Sequence, residues 1–272
     1  MRVPILMYHA VPDVLAPGLS PVHVPRANCE AQLRWLAAAG YRTLRLEHLY
    51  ACLQQGRPLP AQHVVLTFDD GYRSLLRFVT PLLTELGFEA TLFVTTGAVG
   101  LPSYAHLPGV EGYPPQDPPL SWAELAALLR SGCWQLQAHG RHHLVHNRLP
   151  LPALWREMAG AAADLLTHLG VQPRFYAFPY GRYDTRGLHL LARLGYQGAC
   201  SVQAGLAGPG SDTRRLPRVG VTAQDTLASF ARKVRTGHAQ PTQRLRAALL
   251  APVYYFSPLK DAVKSFHDFF MP

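Results

Sequence analysis

Charge is scarce in this chain, cysteine is scarcer, and no apolar run is long enough to cross a bilayer. Only 16% of the 272 residues are charged and 48% are hydrophobic, against about 25% charged in ordinary soluble domains. That balance excludes intrinsic disorder, and the length suits one barrel of roughly 250 residues. The four cysteines, Cys29, Cys52, Cys133 and Cys200, lack any CxxC spacing. A zinc ribbon, a dithiol redox motif and a dense disulfide framework are thereby excluded, and the thiols read as small buried hydrophobes. The opening MRVPILMYH has too short an apolar stretch for a secretory signal, and no cleavage site follows. The chain is expected to be cytoplasmic, or a form trimmed of its targeting segment. The net charge of +9 comes from scattered Lys and Arg with no basic tract. A generally basic surface is expected, with no nucleic-acid partner.

What is present is a regular alternation of strand-like and helix-like segments. Strands are expected at Arg2–Met7, Tyr41–Leu46, Val64–Phe68, Ala90–Val94, Trp134–Ala138, Arg174–Phe178, Gln197–Val202 and Leu216–Val221. Helices are expected near Asn28–Ala39, Glu47–Gln55, Ser74–Leu86, Ala153–Leu169 and Thr185–Leu194. Another opens at the capping box Ser121-Trp122-Ala123-Glu124 and runs to about Arg130. Repeated βα units imply parallel strands with helices outside, in a single α/β domain over residues 1–272. Gly97–Pro119 is a long loop with prolines at 102, 108, 114, 115, 118 and 119. It either lines a groove with Tyr104 or Tyr113 or is a rigid surface excursion. The tail 258–272 has Leu259, Val263, Phe266 and Phe270 at helical spacing, as for a helix packed on the barrel.

Two segments carry the chemistry. In Val64-Val65-Leu66-Thr67-Phe68-Asp69-Asp70-Gly71-Tyr72, a hydrophobic strand ends in two carboxylates and a glycine. Adjacent carboxylates repel unless a cation or a proton separates them, so one can bind a metal while the other handles a proton. Alone, Asp-Asp-Gly is a turn signal. The second segment, Gln135-Leu136-Gln137-Ala138-His139-Gly140-Arg141-His142-His143 with His146 beyond, also follows a strand. His139 and His143 are four apart, a spacing that one helical turn would bring to the same side. Two imidazoles and one carboxylate with open positions describe a catalytic metal site. In a parallel barrel the C-terminal strand ends converge on one face, which would bring both segments together. His9, Phe178-Pro179-Tyr180-Gly181 and Arg218 fall at such ends as well.

Thr67-Phe68-Asp69-Asp70-Gly71-Tyr72, His139-Gly140-Arg141-His142-His143 and Phe178-Pro179-Tyr180-Gly181 resemble the first three motifs of the NodB-type polysaccharide deacetylases. Leu6-Met7-Tyr8-His9 with Leu216-Pro217-Arg218 resembles their circularly permuted branch, which includes poly-N-acetylglucosamine deacetylases. The resemblance spans roughly residues 3 to 225. It implies a distorted (β/α) barrel of about seven strands, a divalent metal on Asp70, His139 and His143, and Asp69 as catalytic base. Zinc is the default from ligand type, with nickel, cobalt or iron fitting the same triad. His142 and His146 compete with His143 for the third ligand position, and motif spacing favours His143. The family's Ser or Thr after the first metal His is Gly140 here, which removes a hydrogen-bonding hydroxyl. The usual Leu-x-x-His near the C-terminus is absent, and His9 is the substitute that the permuted branch suggests.

The implied reaction is removal of acetyl groups from an N-acetylated glycan: poly-N-acetylglucosamine, a chitin-like polymer or peptidoglycan. In it His9 protonates the amine, Arg218 orients Asp69, and the Tyr180 backbone N–H meets the oxyanion. The competing expectations are a catalytically weak glycan-binding module on the same fold, and an esterase or amidase acting on another acyl group.

Overall fold

The computed structural model describes residues 1–107, 113, 114 and 116–238. The tail expected to be helical over 258–272 lies outside the described residues. Eight strands form the sheet: β1 (Ile5–Tyr8), β2 (Arg42–Thr43), β3 (His63–Asp70), β4 (Ala90–Val94), β5 (Trp134–Ala138), β6 (Phe175–Ala177), β7 (Gly198–Cys200) and β8 (Val219–Gly220). Seven of them run in the order β7-β6-β5-β4-β3-β1-β8, and β2 adds to the start of β3. Every pairing is parallel. The sheet curls until Cys200 bridges Leu216, just ahead of β8. The expected distorted barrel with outer helices is the architecture found.

Alternation along the strands divides the core. Leu6, Leu66, Leu92 and Leu136 pack in one cluster with helical leucines such as Leu33, Leu83, Leu125 and Leu154. Ile5, Val65, Phe93 and Phe175 form a second cluster, the barrel interior. The helices are α1 (Arg26–Ala38), α2 (Leu46–Gln54), α3 (Thr80–Leu86), α4 (Trp122–Arg130), α5 (Leu151–Leu169), α6 (Thr185–Arg193) and α7 (Leu227–Thr236). None of the described helices is long and apolar enough to cross a membrane.

Several boundaries differ from expectation for identifiable reasons. The strand expected at Tyr41–Leu46 shrinks to β2 because α2 begins at Leu46. Leu46 and Leu49 then join the interior cluster. The strand expected at Leu216–Val221 shrinks to β8. Pro217, which has no N–H, separates Leu216, bonded to β7, from Val219, bonded to β1. The helix expected over Ser74–Leu86 is a wide π-type turn at Leu75–Val79 followed by α3. Pro81 cannot donate back to Arg77, which loosens the ladder there. The capping box at Ser121 and Glu124 is formed as expected. The sequence reading missed α7, which Thr226 caps and Gly237 stops at φ 81°. All four cysteines are free thiols, and three are buried.

Candidate active site

The interior face of the barrel runs into the site. Beyond Val65 and Thr67 on β3, the same alternation points Asp69 inward, and beyond Gln137 on β5 it points His139 inward. His9 extends the Ile5–Met7 face of β1 in the same way. By that rule Asp70 would face the helices. Its φ of 74° turns it back to the site. A left-handed non-glycine residue costs on the order of 1–3 kcal/mol and persists where surrounding bonds fix it. Here the Thr95 N–H donates to the Asp70 carbonyl at 3.0 Å, and the Leu120 N–H to the Gly71 carbonyl at 2.9 Å.

Asp69 and Arg218 form a buried bidentate pair. Nη1 and Nη2 of Arg218 donate to Oδ1 and Oδ2 of Asp69, both at 2.7 Å. Arg218 also donates from Nε to the Ser201 carbonyl at 3.0 Å and from Nη1 to Thr67 Oγ1 at 3.3 Å. Its side chain is fully enclosed. Burial alone would raise the Asp69 carboxyl, but the Arg218 and His139 side chains outweigh it and hold Asp69 at about 2.

Asp70 meets the two imidazoles. Its Oδ1 lies 3.6 Å from His139 Nε2 and 3.4 Å from His143 Nε2. Burial, reinforced by the charge of Asp69, pushes the Asp70 carboxyl up to about 6 against the opposing pull of His9. His139 donates from Nδ1 to the Ala177 carbonyl at 2.8 Å, which fixes the tautomer and leaves the Nε2 lone pair facing Asp70. Burial lowers His139 to about 3 and His143 to about 4, so both rings are neutral near pH 7.

This donor set fits a divalent cation. One ligand atom from each of Asp70, His139 and His143 lies within 4.8 Å of the others. Asp70 Oδ1 is buried with no hydrogen-bond partner among the described residues, which water or a proton donor would otherwise supply. Two imidazoles and a carboxylate are ligands for zinc-like ions.

The competing histidines are engaged elsewhere. His142 is half-exposed, with Nδ1 2.6 Å from Glu157 Oε1. His146 places Nε2 2.6 Å from the Tyr176 hydroxyl and Nδ1 2.7 Å from the Leu144 carbonyl. The helical turn expected across His139–His143 is absent. That segment is an irregular loop, bent by left-handed residues at Gly140 (φ 81°) and His143 (φ 57°).

His9 lines the same cleft, a space of about 410 Å³ that includes Asp69, Asp70, His139, His143 and Tyr180. Its Nδ1 is buried without a hydrogen-bond partner among the described residues. Tyr180 is left-handed at φ 56° in the Pro179–Gly181 turn, with its ring 4.5 Å from that of His143. A Cβ at Gly181 would meet Val202 at 2.2 Å, so the turn requires glycine. The structure therefore places His9, Asp69, Asp70, His139, His143 and Tyr180 around one cleft, with Arg218 bonded to Asp69. Tyr104 and Tyr113 are not among the cleft residues. Tyr104 is buried against Tyr72, ring centroids 4.4 Å apart, and Tyr113 packs on the outer core. Sequence reasoning missed His23, a lone His in an irregular segment, which lies edge-on between His9 and Tyr72. It also passed over Tyr72, which lines the cleft and whose hydroxyl favours the ionised Asp70 carboxylate.

Residues 56–199, more than half of the chain, match the family model described as polysaccharide deacetylase. The chain belongs to the polysaccharide deacetylase family. Membership makes it a metal-dependent hydrolase of the deacetylase type, and the matched span contains Asp69, Asp70, His139, His143 and Tyr180. His9 and Arg218 lie outside it, on segments that the sheet sets beside β3 through β1 and β8. The poly-β-1,6-N-acetyl-D-glucosamine N-deacetylase of Escherichia coli is 26% identical over 250 residues, covering 82% of this chain. This chain spans only 37% of that relative's length. The structure of IcaB from Ammonifex degensii is 24% identical with a TM-score of 0.71, covering 87% of this chain and 97% of that one. That of the Streptococcus pyogenes deacetylase PplD in complex with acetate has a TM-score of 0.73 at 22% identity, covering 86% and 98%. Both share the fold.

Proposed function

We propose that this chain removes acetyl groups from an N-acetylated glycan of the poly-N-acetylglucosamine class, with Asp70, His139 and His143 holding a zinc ion. The observation that carries the proposal is the orphaned Asp70 oxygen facing two neutral imidazoles, beside an aspartate locked by a buried arginine. A divalent cation held there would polarise the acetamide carbonyl and acidify water.

The chain's own groups supply the rest. Asp69 takes the proton of the attacking water. It is ionised at any working pH, and Arg218 fixes both of its oxygens in direction. His9, which lines the same cleft, gives a proton to the departing amine. The Tyr180 backbone N–H donates to the developing oxyanion, and the left-handed turn sets its direction. The glycan class is supported by the name of the E. coli relative, which aligns over 82% of this chain.

The test is acetate release from β-1,6-linked N-acetylglucosamine oligomers, with chelator and with added zinc, nickel, cobalt or iron. Metal-dependent release is expected. Release from acetylated xylan alone would favour an esterase, and binding without release from any glycan would favour a binding module.

A further inference from the structure

The metal-ligand loop has to be held in an irregular shape, and α5 presents the groups that hold it. Glu157, Gly160 and Asp164 recur at i, i+3 and i+7, along one face of the helix. Glu157 is buried, and its Oε2 accepts the backbone N–H groups of Arg141 at 3.1 Å and His142 at 2.8 Å. Its Oε1 meets His142 Nδ1 at 2.6 Å. Gly160 makes room for the Arg141 side chain: a Cβ there would lie 2.9 Å from Arg141 Cδ. Asp164 pairs with Arg141 Nε at 3.0 Å and accepts from Thr96 Oγ1 at 2.7 Å. From the opposite side the Thr96 and Gly97 N–H groups donate to the Gly140 and Arg141 carbonyls at 3.2 and 2.7 Å. The loop between the two metal-ligand histidines is therefore clamped on both edges.

Gly140 lies against this clamp. A Cβ at Gly140 would come within 3.2 Å of the Tyr176 hydroxyl and 3.5 Å of Glu157 Oε2. The space is already taken. We propose that Glu157 is a positioning residue for the metal site: its carboxylate binds two consecutive loop N–H groups and so holds His143 at its left-handed angle, facing Asp70. The inference rests on the assignment of Asp70, His139 and His143 as metal ligands.

Cobalt(II) affinity and the visible spectrum of the cobalt-loaded protein, measured for wild type, Glu157→Ala, Glu157→Gln, Glu157→Met and Asp70→Asn, test it. Glu157→Ala is expected to weaken cobalt binding by about 10–100-fold, the range typical of groups that orient metal ligands, and to alter the spectrum. Glu157→Gln keeps an acceptor for the loop N–H groups and is expected to be intermediate. Glu157→Ala with wild-type affinity and spectrum would overturn the role. If that variant does not fold, wild-type affinity and spectrum in Glu157→Met, which fills a similar volume without an acceptor for the loop N–H groups, would overturn it instead. Cobalt binding that survives Asp70→Asn would overturn the metal-site assignment itself. A failure confined to Glu157 is recognised because Asp70→Asn then abolishes binding.

Discussion

Arg218→Met tests the acid–base half of the site, because it removes the cation from a fully buried ion pair. Both partners are at most 2% exposed, and Arg218 is the largest influence that offsets the burial of Asp69, with His139 and His9 adding to it. These neighbours together hold Asp69 at about 2 against an unfolded value near 3.8, a difference worth about 2 kcal/mol. Removing one partner also strands the other in a dry site, so the total loss is expected at about 3–5 kcal/mol. That is a large fraction of the roughly 5–15 kcal/mol by which domains are stable. The sign follows from the depressed pKa. The wild-type contribution is complete above pH 3.8 and is lost as pH falls through about 2. In the variant, burial is the dominant remaining influence, Asp69 takes up its proton at higher pH, and the acid limb of activity moves upward. Urea unfolding at pH 7 of chelator-treated wild type, Arg218→Met, Asp69→Asn and the double variant gives the coupling energy. A coupling below about 1 kcal/mol, the range of exposed pairs, or an acid limb that does not move would refute this account.

The other predictions concern protons and ligands. Asp69→Asn is expected to abolish acetate release while leaving metal content unchanged, and activity retained in the variant would remove Asp69 as the base. His9→Ala is expected to lower turnover by about 10²–10⁴-fold without loss of metal; unchanged turnover would take His9 out of the mechanism. His143→Ala is expected to lose the metal and His142→Ala to retain some, measured by elemental analysis after gel filtration. The reverse order would reassign the third ligand. Chelator-treated protein is expected to lose stability as pH falls from about 6.5 to about 4. Unfolded imidazoles take up protons there, whereas His139, His143 and His146, lowered by burial to about 3, 4 and 4, do not. Asp70, raised to about 6, opposes this between 6 and 3.8 but is one group against three. A melting temperature that rises across that interval would contradict the burial of these rings.

Much of the site was legible because strand periodicity and strand ends are written locally. The strands of the barrel were found at β4 and β5 to the residue, where β-rich residues run through Ala90–Val94 and apolar residues alternate with glutamines through Trp134–Ala138. The donors at their ends followed from convergence on one face of a parallel sheet. Which histidine serves as third ligand was legible only as a spacing. The reason for that spacing was wrong, because a helical turn was expected where two left-handed residues bend a loop. His23 and Glu157 were invisible for the same physical reason. Their partners are 49 and 15–16 residues away, at Tyr72 and at Arg141 and His142, and nothing in a single sequence records that proximity.

The places where local rules fail coincide with the chemistry. Among the described residues only Gln62, Asp70, His143 and Tyr180 are non-glycine residues at positive φ, and three of these four lie in the cleft. Asp70 breaks the alternation that built the barrel, and the other two bend irregular segments beyond strand ends. Asp70 is turned from the helix side to the interior, His143 lies with Nε2 3.4 Å from Asp70 Oδ1, and Tyr180 packs its ring on that of His143. Such strain is on the order of 1–3 kcal/mol per residue, and at Asp70 the Thr95 and Leu120 N–H bonds hold the turn against it. Asp69 and His139 need no such distortion, since alternation already delivers them. The site thus joins two kinds of residue, those that the strand period supplies and those that the surrounding structure must force. The forced ones should be the first to lose their place when a supporting contact such as Glu157 is removed.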